Sequence, residues 1–198
     1  MDKFPNQPSS YYFNGLAKGR QHKNKEAVEV LNAGLKLIVD DKKMEADFYS
    51  ALGDAYNEMK EYIKSDESYD KALERDNKNV TVLNNYAYYL SLRGENLAKA
   101  DSMSKLSNTI VPDNDSYEDT YGWILYMEKK YEEAKLRLDK AISHGGDKSS
   151  TILEHMGDVL YRLGKTENAM DYWKRAKAAG TEVTDLLDKK IADKKLYE

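Results

Sequence analysis

The sequence predicts an all-α fold built from consecutive helix hairpins, and three observations carry that prediction. A helical pattern centred on a small residue recurs about every 35 residues, most visibly at Gly53, Gly122 and Gly157. Within each copy the apolar residues fall at i, i+3, i+4 and i+7, the spacing of one helix face. Punctuation is sparse and regular: the 198 residues contain three Pro, and Gly stands where helices should turn.

The elements follow in order as units 8–45, 46–79, 80–114, 115–149 and 150–183. The first unit is the longest, and its extra length fits the charged turn Asp40-Asp41-Lys42-Lys43. In the second, Phe48, Tyr49, Leu52, Ala55, Tyr56 and Met59 form one helix face, Lys60-Glu61 turns the chain, and Tyr62, Ser65, Tyr69, Ala72 and Leu73 form the return face. The third carries Asn85-Tyr86-Ala87 and Leu90, a turn at Gly94-Glu95-Asn96, then Ala100 and a stop at Pro112. In the fourth, Asp115 and Glu118 are spaced as a helix-opening cap; Tyr121-Gly122 and Leu125 precede Ala134, Leu138 and Ala141, and Gly145-Gly146 ends the unit. The fifth repeats this with Leu153, Met156-Gly157 and Leu160, then Ala169, Trp173 and Ala176, ending at Gly180. Small residues at these crossings let two helix axes approach to about 8–10 Å. A lone hairpin cannot bury its apolar face, so the units must stack.

Residues 184–198 are expected to close the series. Thr184 is placed to cap a helix reaching to about Leu196, with Leu186, Leu187 and Ile191 as its apolar stripe and Asp185, Asp188, Lys189, Asp193 and Lys194 as its solvated face. Lys189, Lys190, Lys194 and Lys195 raise the alternative of a membrane-surface or partner helix, which the interspersed aspartates oppose.

The units resemble the tetratricopeptide repeat. Tyr49, Leu52, Gly53, Tyr56, Tyr69 and Ala72 carry the likeness in one unit, and Leu153, Gly157, Ala169, Trp173 and Ala176 in another. The first unit departs most, with Asn14-Gly15 as the central pair, Lys18 for an aromatic and Gly34 for Ala; the third departs at Ser104 and Ser107. The resemblance implies a right-handed α-solenoid of five helix hairpins plus a C-terminal capping helix. On the family's register, Phe4-Pro5-Asn6-Gln7 reads as the end of a preceding repeat, so residues 1–7 are expected to be a remnant and the chain the C-terminal part of a longer protein.

Composition narrows function by exclusion. A net charge of −4 is unsuited to binding nucleic acid. Without Cys there is no disulfide framework and no thiolate metal site. Mean hydropathy is −0.82, no apolar run approaches a membrane span, and no direct membrane insertion by this region is expected. His22, His144 and His155 lack metal-motif spacing, and His155 reads as a packing or groove residue. Asp113-Asn114-Asp115 resembles the start of a calcium loop, but Glu118 stands where that loop needs Gly, so it reads as a turn. No nucleophile motif stands out, and no catalytic role or cofactor is expected.

What the resemblance implies instead is a non-catalytic scaffold binding a peptide or helix of a protein partner in the concave groove of its first helices. The matching positions include Tyr12, Asp54, Asn84, Tyr88, Asp119, Trp123, Tyr126, Asp158 and Tyr161. The aromatic residues would bury apolar ligand groups, while Asn84 and the acids would select polar or basic ones. The alternative for Tyr88, Trp123 and Tyr126 is packing between neighbouring repeats. No unit carries the Lys–Asn pair with which chaperone adaptors of this family hold a C-terminal carboxylate. Two rival functions stay open: self-association through the N-terminal end at Tyr11, Tyr12 and Leu16, or a regulatory region of a larger enzyme. Either the cytoplasm or the cell envelope fits.

Overall fold

Eleven α-helices make up the described residues of this computed structural model, which are 7–180 and 183–197, and no strand occurs among them. The expected remnant at residues 1–7 lies, apart from Gln7, outside them. The helices are α1 (Pro8–Arg20), α2 (Asn24–Leu35), α3 (Lys42–Glu58), α4 (Tyr62–Arg75), α5 (Val80–Arg93), α6 (Leu97–Ile110), α7 (Asp115–Met127), α8 (Tyr131–Ser143), α9 (Ser150–Arg162), α10 (Thr166–Ala179) and α11 (Leu187–Asp193). A 3-10 turn, Gly146–Lys148, sits between α8 and α9.

Two kinds of junction alternate, and local chemistry explains each. The turns inside hairpins place a residue in the left-handed region: His22, Lys60, Gly94, Lys129 and Gly164. The next amide then reaches back five residues, as in Lys23 N to Lys18 O, Glu61 N to Tyr56 O and Lys165 N to Leu160 O, each at 2.9 Å. This is the six-to-one closure that satisfies orphan carbonyls at a helix end. The turns between hairpins add side-chain caps, and three of the four also hold a positive-φ residue, Asp40, Asp113 or Gly145. Oxygens of Asp41, Asn79, Asn114 and Ser149 accept from the backbone amides of Met44, Val82, Tyr117 and Ile152 at 2.9–3.4 Å. Short polar side chains fit there because they occupy donors that the first helical turn cannot pair. The fourth-unit cap is therefore Asn114 rather than the expected Asp115. Glu118 does not close a capping box but is itself buried, and the more exposed Arg137 and Lys140 reach it at 3.1 and 3.8 Å.

The chain forms two compact units, the first up to Val82 and the second from Leu83. In the first, α1 packs on α2 and α3 on α4, around a core of Leu31, Phe48, Ala51 and Leu52. In the second, α7 pairs with α8 and α9 with α10, and Lys99 of α6 donates to the Tyr86 hydroxyl of α5 at 3.1 Å. The second core runs from Tyr121 and Leu125 through Leu138, Leu153 and Met156 to Trp173, Leu187 and Leu196.

Close approach at the hairpin crossings depends on glycine. A Cβ at Gly53 would stand 2.8 Å from the Tyr69 ring, and one at Gly157 would overlap the Trp173 indole. Neither ring is free to retreat, since both are fully buried. Gly157→Ala is therefore expected to lose about 1–3 kcal/mol through overpacking, read as a lower midpoint in urea unfolding with the slope unchanged.

The C-terminal closing helix is shorter than the sequence suggests. It spans Leu187–Asp193 and stops where Lys194 enters the left-handed region. Thr184 does not cap it but bonds Glu154 of α9 through both its amide and its hydroxyl. Lys190, one of the four lysines that raise the alternative of a membrane-surface or partner helix, is turned inward and only 2% exposed.

Candidate partner-binding groove

Four-residue spacing puts two positions of each first helix on one face. The position after the central small residue holds Asp54, Tyr88, Trp123 and Asp158; the position one turn earlier holds Ser50, Asn84, Asp119 and Glu154. In the first unit, Asp54 accepts from the Tyr69 hydroxyl at 2.5 Å. Tyr12 packs on Phe48 with ring centroids 5.4 Å apart. Burial, then the charges of Asp47 and Asp54, raise its hydroxyl pKa. Asp54 also lines a cleft of about 190 Å³ with Leu16, Arg20 and Glu58.

The fifth hairpin repeats the Asp54–Tyr69 arrangement with stronger charges. Trp173 Nε1 donates to Asp158 Oδ1 at 2.8 Å. Lys190 Nζ then bridges the two carboxylates, reaching Glu154 Oε1 at 2.9 Å and the Asp158 oxygens at 2.9 and 2.7 Å. All three side chains are buried. Burial opposes ionisation of Glu154, but hydrogen bonds from Thr184 and Lys190 prevail and lower its pKa. Asp158 goes the other way, because burial outweighs the help of Lys190 and Trp173. Tyr161 stacks on Trp173 at 5.7 Å. The acids proposed to select basic ligand groups thus hold an internal lysine in this hairpin.

The fourth hairpin breaks the pattern, and this frees its aromatic residue. Leu138 replaces the Tyr69 and Trp173 of its neighbours and needs no acceptor, so no acid is required beside Gly122. Trp123 stands there. It stacks on His155 at 4.1 Å and on Tyr126 at 4.6 Å, nearly parallel to both. Its Nε1 is buried without a hydrogen-bond partner. Trp123 both packs against the next hairpin and lines a groove of about 410 Å³. Leu92, Tyr126, Met127, Asp158 and Arg162 share that groove, and Thr184, Leu186, Lys190 and Tyr197 of the C-terminal segment form its far wall.

Asn84, Tyr88 and Asp119 meet elsewhere in the second unit, in a polar cleft of about 300 Å³ with Ser116, Thr120 and Thr151. Burial, then the charges of Asp119 and Glu154, push the Tyr88 hydroxyl up to about 12. Asn84 Oδ1 is buried and unpaired.

His155 connects the cleft to the aromatic stack, because its Nδ1 lies 2.9 Å from Asp119 Oδ1. Burial works against its positive charge, but Asp119, then Asp158 and Glu154, outweigh that and raise its pKa. A raised histidine pKa stabilises the fold fully below the ordinary value near 6.5, and this contribution is lost as pH rises through the folded-state value. The facing charged groups are Asp119 on α7, Glu154 and Asp158 on α9 and Lys190 on α11, with Tyr88 on α5 neutral in this range. Melting temperature is expected to fall as pH climbs above the ordinary histidine value near 6.5, and Asp119→Asn should flatten that slope. An unchanged slope in this variant would show that the pair does not carry it.

Sequence reasoning treated His155 as a packing or groove residue and missed its charge pairing with Asp119. It also missed the inward Lys190, although the spacing Leu187–Lys190–Ile191 puts this lysine on the apolar stripe. Among the described residues, no three His, Asp or Glu side chains gather as a metal-binding group, and no helix is long and apolar enough to cross a membrane.

Comparison with known proteins agrees with this architecture. The family model described as tetratricopeptide repeat matches residues 46–79. The type IV pilus assembly protein PilF of Pseudomonas aeruginosa is 29% identical over 129 residues, which are 65% of this chain and 51% of the relative. The chain thus spans about half the length of the curated relative it matches. The solved structure of Pseudomonas aeruginosa PilF superposes with a TM-score of 0.76 at 24% identity, covering 94% of this chain and 83% of that one. PilW, a type IV pilus biogenesis factor, gives 0.80 at 18% identity over 94% and 85%. A thermophilic tetratricopeptide-repeat protein from Thermus thermophilus gives 0.74 at 15% identity over 94% and 98%. Residues 46–79 thus match a tetratricopeptide repeat, and the chain shares the fold of these solenoids.

Proposed function

We propose that this protein is a non-catalytic interaction scaffold that holds a segment of a partner protein in the groove beside Trp123. The observation that carries the reading is the three-ring stack of Tyr126, Trp123 and His155 along an open, largely apolar groove. Large rigid aromatic surfaces give contact area at little entropic cost, and they dominate binding energy at protein interfaces. Repeat folds of this family generally serve as interaction modules, and the groove offers no nucleophile paired with a base. Asn84, Tyr88 and Asp119 in the polar cleft would extend the contact to a bound backbone, because Asn both donates and accepts. Tyr161 completes the candidate set in this unit, and Tyr12 with Asp54 marks a separate candidate surface in the first unit. The likeness to PilF supports a setting in pilus assembly, where a scaffold would bring assembly proteins together.

The test is capture from source-cell lysate with the full chain as bait, compared with Trp123→Ala and Tyr88→Ala variants checked as helical by circular dichroism. Loss of a central anchor should cost about 2 kcal/mol, roughly thirtyfold in affinity for the captured partner. A partner held equally by parent and Trp123→Ala would move the site out of this groove. Capture of pilus components would support the setting, and capture of other proteins alone would refute it.

A further inference from the structure

The first unit leaves open a place that the second unit fills with its own aromatic rings. At the junction of α7 and α9, Tyr126 stands four residues after the central Gly122, Tyr131 nine residues after it, and His155 two residues before the central Gly157. Trp123 stacks on Tyr126 and His155, and Tyr131 tilts against Tyr126 with ring centroids 5.5 Å apart. Counted from Gly15 and Gly53, the corresponding positions at the junction of α1 and α3 are Gly19, Asn24 and Ala51, and Leu16 takes the place of Trp123. These four residues line the cleft of about 190 Å³ described above. Its floor is apolar, formed by the buried Ala27, Leu31, Ala51 and Ala55. No packing contact and no left-handed backbone calls for glycine at position 19, where a Cβ would meet nothing within 4 Å.

The charged residues on the rim are Arg20, Asp54 and Glu58. Asp54 already accepts from the Tyr69 hydroxyl. Arg20 and Glu58 are exposed, and among the described residues neither side chain forms an ion pair or hydrogen bond. Glu58 occupies the position of Arg162, which donates to the Tyr126 hydroxyl at 3.3 Å. A carboxylate in that position accepts instead of donating.

We infer that this cleft takes a tyrosine side chain of a partner protein, with its ring between α1 and α3 and its hydroxyl donating to Glu58. The size fits, since a dry cavity of about 150 Å³ admits a benzene ring. The apolar floor suits a ring, and the carboxylate favours a tip that donates, which phenylalanine lacks. With Arg20 on the same rim, a neutral donor meets less repulsion than a lysine ammonium. This site is separate from the groove beside Trp123, and neither reading depends on the other.

The test follows backbone amide resonances of the full isotope-labelled chain during titration with N-acetyl-tyrosine amide. Shifts that saturate in the millimolar range are expected at Gly19, Ala51 and Ala55. The phenylalanine analogue should bind about fivefold more weakly, and Glu58→Ala should erase that preference. Gly19→Tyr should weaken the tyrosine probe by about tenfold or more. The same variant should raise the thermal midpoint, because tyrosine costs a helix less than glycine does and its ring enters the open cleft. Lost binding would then not be lost folding. A lower midpoint would show that this place does not hold a ring and would overturn the inference. So would the absence of saturating shifts at these amides, or binding that survives Gly19→Tyr. Equal affinity for the two analogues would overturn the choice of tyrosine, and tighter binding of the lysine analogue would overturn the aromatic chemistry. A dimer in sedimentation that Gly19→Tyr dissociates would assign the cleft to a second copy of this chain and overturn the partner.

Discussion

Lys190→Ala is expected to destabilise the protein by about 3–5 kcal/mol, because it strands buried carboxylates without their counterion. Glu154 would keep only its bonds from Thr184, and Asp158 only the Trp173 indole. The cost comes from the orphaned charges rather than from the attraction that is lost. A triple replacement, Glu154→Gln with Asp158→Asn and Lys190→Met, should therefore recover much of the stability, since neutral groups of similar volume need no counterion. Urea unfolding would measure both variants. Hydrogen exchange would locate the damage, with protection lost first in α11 and then in α9. If the triple variant proved as unstable as Lys190→Ala, packing rather than charge would explain the effect.

Trp173→Ala is expected to cost about 3–5 kcal/mol as well, for a different reason. This indole is fully buried, fills the space left by Gly157 and holds Asp158. Truncation opens a cavity at the centre of the α9–α10 hairpin, which neighbouring helices can collapse into only in part. Trp173→Phe should cost less, because most of the volume stays and Asp158 keeps Lys190. The thermal midpoints should rank wild type, then Phe, then Ala. Equal loss in both variants would mean that the indole N–H, rather than the volume, sustains the hairpin.

Much of the architecture was legible from spacing alone. Gly53, Gly122 and Gly157 marked the crossings because a Cβ there would crowd the side chain sixteen residues on, most severely at Gly53 and Gly157. Gly94 and Gly164 marked hairpin turns, and the structure places both in the left-handed region. Lys60 and Lys129 occupy the same kind of turn without the glycine signature, so their backbone conformation was not visible in composition. The opening of α7 was misplaced by one residue, because Asn114 and Asp115 are both good caps and only backbone geometry distinguishes them.

The candidate groove was less legible. The expected positions lie on one helix face, but their partners come from far along the chain. Asp119 meets His155 across 36 residues, and Lys190 reaches Asp158 across 32. No local period encodes such pairs.

Periodicity and small residues at crossings act within one repeat, so the run of helix hairpins can be read from the amino-acid order. Which acids are already neutralised and which aromatic residues line an opening emerges from the packed hairpins. Those properties depend on burial and on contacts between hairpins, where a charge is either paired or costly and a ring is either packed or free.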